Sequence, residues 1–205
     1  MADFTKTQGT FLDWTLLDDT ASDTPGLDSG TLTIPAGALE TILNITVAHK
    51  DVNAAAANYV DVKVYIRAGA NDEDWRLWSK TSAGGGTAVA EALDAESASA
   101  QAQIKVAATT DWDTGFGERL FLLDNTLVNS EVVTIIGWAD ADYYIAADNL
   151  TVTHAATTSI LYDGLAEINV ALPSGADYCK VVFANADDDA NYAVRVDYVS
   201  TTDIE

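Results

Sequence analysis

By residue type and spacing, three acidic clusters are the parts of this chain best suited to chemistry. Asp187-Asp188-Asp189, Asn71-Asp72-Glu73-Asp74, and the group Asp140, Asp142, Asp148 and Asn149 each fall in a connection between apolar stretches. Calcium takes roughly six to eight oxygen ligands, which such loops could supply, so Asp187, Asp188 and Asp189 are the metal candidates and calcium the one cofactor candidate. No segment carries the glycine and terminal glutamate of a calcium loop. Asp also favours turns for backbone reasons alone, so plain solvated turns are the competing reading. A glycosidase would need two carboxylates facing each other across a cleft. With 32 acidic residues some pair meets that geometry by chance, so the composition assigns none.

The other reactive types are scarce. His49 and His154 are the two histidines, and each continues an apolar alternation (Leu43, Ile45, Val47, then His49; Leu150, Val152, then His154). Both read as the inward ends of strands rather than as triad members. Cys179 shares a strand face with Val181 and Phe183 and reads as a small buried hydrophobe. The chain has no Gly-x-Ser-x-Gly, His-Glu-x-x-His or Cys-x-x-Cys pattern. Gly115-Phe116-Gly117 and Gly84-Gly85-Gly86 lack the Lys and helix start of a phosphate loop. The expectation is therefore a protein that is not an enzyme and needs no catalytic cofactor.

Contact chemistry is better provided for. Trp14, Trp75, Trp78, Trp112 and Trp138 could stack on sugars, and Trp112, between Asp111 and Asp113, is the best exposed glycan candidate. Trp75 and Trp78 are three apart, so on a strand they face opposite ways and at least one belongs in the core. Phe11, Trp14, Leu16 and Leu17 form an apolar N-terminal group that could anchor the chain to a partner. A strand in the main fold is the equal alternative for them. Tyr59, Asp61, Lys63, Tyr65 and Arg67 alternate along one strand face, an amphipathic mix of charges that suits a protein interface.

The elements that must position these groups are strands. Val60, Val62, Val64 and Ile66 point one way over 59–68 while the intervening residues point the other. Further strands are predicted at 31–38, 43–49, 75–78, 101–108, 119–123, 131–138, 150–154, 166–172, 178–184 and 192–199, with turns rich in Asp, Asn, Gly and Pro. Strands 119–123 and 131–138 are apolar on both faces and predict cover on both sides. Residues 88–100 have helical spacing and predict a short surface helix. The sum is an all-β chain, an antiparallel, jelly-roll-like β-sandwich over 29–205 with an N-terminal arm and linker over 1–28. Two small sandwiches split near 125–130 are the alternative.

The chain has 205 residues, 48% hydrophobic, with 10 Lys and Arg against 32 Asp and Glu for a net charge of −22. That is enough apolar material for a core. The negative surplus repels phosphate backbones and anionic lipid surfaces, so neither nucleic acid nor membrane is an expected partner. A solvated acidic surface or a saline habitat would explain the charge equally well. Met1-Ala2-Asp3-Phe4-Thr5-Lys6-Thr7 has no basic start followed by an apolar run, so the expectation is a cytosolic product without a signal peptide.

Several features together resemble bacteriophage virion accessory proteins of the capsid-decoration or head-fibre type. They are the start Met1-Ala2-Asp3-Phe4, the strand-and-turn Gly30-Thr31-Leu32-Thr33-Ile34-Pro35-Ala36-Gly37, the Asp-, Thr- and Ala-rich β body, and the scarcity of Cys and His. The resemblance implies a β-sandwich in a symmetric homo-oligomer, often a trimer, located in the virion. Such a protein clamps capsid subunits or displays a binding surface, and its partner is a protein shell or another virion protein. The competing function is a carbohydrate- or cell-surface-binding β-sandwich module.

Overall fold

A computed structural model of the chain describes residues 3–17, 26–50, 59–71, 74–84, 90–107, 117–140, 142–185 and 191–204. Its strands, in chain order, are β1 (Asp3–Leu17), β2 (Leu27–Asp28), β3 (Leu32–Thr33), β4 (Ala38–His49), β5 (Val60–Arg67), β6 (Arg76–Ala83), β7 (Ala90–Ala92), β8 (Gln103–Lys105), β9 (Glu118–Leu123), β10 (Glu131–Asp140), β11 (Tyr143–Ala146), β12 (Ile160–Tyr162), β13 (Leu165–Leu172), β14 (Tyr178–Asn185) and β15 (Tyr192–Ile204). They form three antiparallel sheets. The first runs β1-β15-β4-β13, the second β2-β14-β5-β6 with β3 also on β14, and the third β7-β12-β9-β10-β11-β8. The chain is all-β, and none of its described helices is long and apolar enough to cross a membrane.

The first two sheets make the sandwich, and a period of two residues builds it. Leu43, Ile45 and Val47 of β4 face Val60, Val62 and Val64 of β5, with Cys179, Val181 and Phe183 of β14 and Val194 and Val196 of β15 completing the buried layer. Burying a Val or Leu side chain is worth about 1.5–3 kcal/mol, so this layer dominates the stability. Register is fixed by the same pattern. A one-residue slip of β4 against β15, where Ile45 faces Val196, would turn Leu43, Ile45 and Val47 out of the core.

Residues 3–17, expected as part of an arm, lie along β15 from Asp3–Ile204 to Leu17–Tyr192 and form the edge of the first sheet. The stretch 90–162, expected within the same sandwich, builds the third sheet, entered after β6 and left before β13. Residues 125–130 lie in the connection between β9 and β10, which are neighbours in that sheet. The sheet curls until its edges meet. Leu93 bridges Val106, Asp94 N–H donates to Lys105 O at 3.0 Å, and Ala107 N–H donates to Ala92 O at 3.4 Å. Inside the curl Leu93, Ile104, Val106, Leu120, Leu122, Ile135, Tyr144 and Leu161 form a second core. The Leu93–Val106 bridge ties the two edges together at one end of the half-barrel.

Three local expectations change. Residues 90–92 are a strand paired with β12 and Leu93 and Ser97 sit in bridges, so no helix forms over the described part of 88–100. Ala92 and Leu93 obey the sheet's hydrogen bonding, which outweighs alanine's helix propensity. Residues 150–154 make a single bridge, Ser97–His154, instead of a strand. β9 is covered on both faces as expected, but β10 is not. Register shifts opposite β11 carry its end past the last β9 pairing at Ile135–Glu118, and Ile136 and Trp138 are exposed.

Candidate functional site

The outer face of the first sheet packs on the third through a small apolar seam of Trp14, Ala48 and Ala193 against Phe121, Leu123 and Tyr162. Trp14 is tilted on Phe121 with ring centroids 4.6 Å apart. Beside the seam the two units part and leave a cleft of about 580 Å³, lined by Trp14, Asn44, Thr46, Arg119, Glu131, Glu167, Asn169, Arg195 and Asp197 among others. Its charges answer one another. Arg119 of β9 pairs with Glu167 of β13 and ties the third sheet to the sandwich. Arg195 grips Asp197 through Nε at 2.9 Å and Nη2 at 3.1 Å, donates to Thr10 Oγ1 at 3.0 Å, and lies 6.0 Å from the centre of the Trp14 ring.

Glu131 connects the cleft wall to a buried histidine. His154 is fully buried, with Nε2 2.7 Å from Glu131 Oε1 and Nδ1 3.4 Å from Asp124 Oδ2. Thr151 adds its N–H at 3.1 Å and its hydroxyl at 3.0 Å to Glu131 Oε2, and Ser159 donates to Asp124 Oδ2 at 3.3 Å. Burial pushes the Glu131 carboxyl up, but the hydrogen bonds from His154 and Thr151 outweigh it and hold the group below the ordinary carboxylate range. It is therefore ionised at neutral pH and does not supply the raised-pKa acid that glycoside cleavage requires. The network staples 150–154 to the β9–β10 connection. His49, the other histidine, is buried against Tyr192 with ring centroids 4.9 Å apart, and burial lowers its pKa despite Gly84 and Asp163. Cys179 is a free, buried thiol pushed up to about 12 by burial, as its strand position predicts.

The candidate anchor residues separate. Leu17 belongs to the sandwich core, Phe11 packs against it half-buried, and Trp14 fills the seam, leaving Leu16 as the exposed member. Asp187, Asp188, Asp189 and Trp112 lie outside the described residues. Asn71 Nδ2 donates to Asp74 Oδ2 at 3.3 Å, while Asp142, Asp148 and Asn149 are exposed. Among the described residues no group of three His, Cys, Asp or Glu side chains could hold a metal ion. Neither Trp75 nor Trp78 reaches the core, contrary to expectation. Trp78 occupies the extra position of a bulge in β6 and reaches sideways to donate Nε1–H to Ala171 O at 2.9 Å.

The second sheet carries the other candidate, its outer face. Lys63 of β5, Lys80 of β6 and Lys180 of β14 point outward there, with Arg67 at the end of β5. These are four of the chain's 10 basic residues on one face of a protein carrying 32 acids. Aromatic rings hold two of them. The Arg67 guanidinium lies 4.7 Å from the Trp75 ring and 4.5 Å from Tyr178, and Lys180 Nζ lies 5.0 Å from Trp75 and 5.9 Å from Tyr65. Two carboxylates share the face. Asp28 meets Lys180 at 3.0 Å and Asp61 meets Lys80 at 3.0 Å. Burial alone would raise the Asp61 carboxyl, but Lys80 and Ser82 outweigh it and lower its pKa.

Lys63 and Lys80 stand directly opposite each other in the β5–β6 ladder. Like charges in that position oppose strand pairing, and Asp61, which faces both lysines, offsets this. The alternation of Tyr59, Asp61, Lys63, Tyr65 and Arg67 gives one row of this face in the sequence. Its other rows come from β6 and β14, and only the sheet register brings them alongside.

No family model and no curated protein matches the chain. Among solved structures it is similar to the infectious bursal disease virus VP2 subviral particle, at 11% identity and a TM-score of 0.24, covering 98% of this chain and 41% of that one. It is also similar to VP17, a capsid protein of bacteriophage P23-77, at 7% identity and a TM-score of 0.16, covering 98% of each chain. A third is the VP16–VP17 complex of the same phage, at 8% identity and a TM-score of 0.20, covering 98% of this chain and 100% of that one. The chain thus spans about two fifths of the VP2 chain it matches. Likeness at this level carries no inference about function.

Proposed function

We propose that the chain is a non-enzymatic structural and interaction protein, a virion accessory of the capsid-decoration kind that binds and stabilises a protein shell. One observation carries this reading. In a chain of net charge −22, the outer face of the second sheet gathers Lys63, Lys80 and Lys180, with Arg67 buried against the Trp75 and Tyr178 rings. Charge of opposite sign on one face orients a molecule as it approaches a partner, with the remaining acidic surface turned away. The buried polar groups support the same reading. Glu131 is held by His154 and Thr151, and the cleft cations pair with carboxylates.

The aromatic rings favour a protein partner over a sugar. Faces of Trp75, Tyr65 and Tyr178 lie under cations, where a stacking sugar would have to displace them. The test is to band particles from the protein's source on a density gradient and measure the chain across the fractions. A fixed copy number per particle that survives washing supports the reading. Recovery of the chain only in the soluble fractions overturns it.

A further inference from the structure

We propose that the outer face of the second sheet is a self-association surface that takes the acidic surface of a second copy of this chain. The inference rests on reading this face as a contact surface and names its partner. Among the described residues the face holds Lys63, Lys80 and Lys180 against Asp28 and Asp61, with Arg67 buried against the Trp75 and Tyr178 rings at its end. Among the described acids, Glu40, Glu118, Glu167 and Asp197 belong to the other two sheets, so another copy presents complementary charge whenever the protein is concentrated. Tyr59 and Leu77, both exposed on the same face, supply apolar area beside the cations.

A cationic face on one copy and an acidic face on the next are different surfaces, so the contact is head-to-tail. Such contacts close into rings or continue as layers and filaments. A partner's carboxylate beside Lys63 would add to the one that Asp61 already supplies to this lysine pair.

Salt should act on this association in both directions. Two bodies of charge −22 repel over long range, and at 10 mM salt the screening length of about 30 Å leaves that repulsion in force. At 0.15 M the length falls to about 8 Å, which screens the body charge and spares the close contact. At 1 M it is about 3 Å, and exposed pairs weaken too. Association should therefore peak near physiological salt.

The experiment is light scattering after size exclusion on the purified chain at 10 mM, 0.15 M and 1 M salt. It uses wild type, K63E/K80E, and K6E/K50E, which changes the net charge equally but away from the face. Lys63→Glu alone, which keeps the Lys80–Asp61 pair, is the second variant in case the double one unfolds. The expected result is a wild-type mass at least twice the 21.7 kDa of one chain at 0.15 M, falling towards one chain at both extremes. K63E/K80E and Lys63→Glu should stay at one chain throughout, and K6E/K50E should keep its peak at 0.15 M. A monomeric wild type at 0.15 M overturns the proposal, as does association that K63E/K80E leaves intact or K6E/K50E equally destroys. A wild type that is monomeric yet bands with particles, and loses that banding in K63E/K80E, refutes the self-contact while leaving the shell reading standing. If the wild type neither associates nor bands, both readings fall.

Discussion

Replacing His154 with Ala should destabilise the fold without touching any binding face. The imidazole is fully buried and its two nitrogens face Glu131 at 2.7 Å and Asp124 at 3.4 Å. Removing the imidazole takes a hydrogen-bond partner from the ionised Glu131 carboxylate, which costs about 1.5–3 kcal/mol. For a chain of this length that is a fall in melting temperature of about 3–12 °C. The pH dependence has a definite sign. Glu131 has a folded pKa below its ordinary 4.5, so its contribution is complete above 4.5 and is lost as pH falls through the folded value. The gap between wild type and H154A should thus be widest above about pH 5 and narrow below 4.5. Urea melts followed by tryptophan emission at pH 7 and pH 3.5 measure both. A loss under about 1 kcal/mol at pH 7, or a gap indifferent to pH, would refute the structural role given to this histidine.

Three further outcomes follow from the packing. Cys179 should resist alkylation in the native protein and react at the rate of global unfolding, since burial holds the thiol at about 12; rapid labelling without denaturant would contradict its place in the core. Gly164→Ala should cost about 1–3 kcal/mol in denaturant titrations, because a Cβ there meets His49 Cδ2 at 2.4 Å, and an unchanged midpoint would show that His49 can move aside. Arg119→Ala breaks the ion pair joining the third sheet to the sandwich, yet both side chains are more than a third exposed, so the melt should shift by no more than about 1 kcal/mol. A larger loss would mean that the two units depend on this pair rather than on the Trp14–Phe121 seam.

The sandwich was legible because its strands are long enough to show a period of two. Leu43, Ile45 and Val47, and again Val60, Val62 and Val64, repeat often enough to name their buried face. The third sheet was legible in part: 101–108, 119–123 and 131–138 read as strands, whereas Ala90–Ala92 and Ile160–Tyr162 are too short for any period and are held by their neighbours' hydrogen bonds. Trp14 shows the same limit. It lies on the outward side of the first sheet, where alternation predicts solvent, and it is buried because Phe121 covers it. The candidate face was half legible. Tyr59 to Arg67 showed one amphipathic row, but nothing near Lys63 in sequence announces Lys80 opposite it or Lys180 one strand away.

The account places contact on the outer face of the second sheet, and hydroxyl-radical footprinting of the assembled protein against the free chain tests that most directly. Assembly should protect Tyr59, Tyr65 and Leu77 while leaving Leu16, on the edge strand β1, and Val128, at the cleft, as reactive as before. Protection of Leu16 and Val128 with Tyr59 and Leu77 unchanged would contradict it and move the contact to the first strand and the cleft.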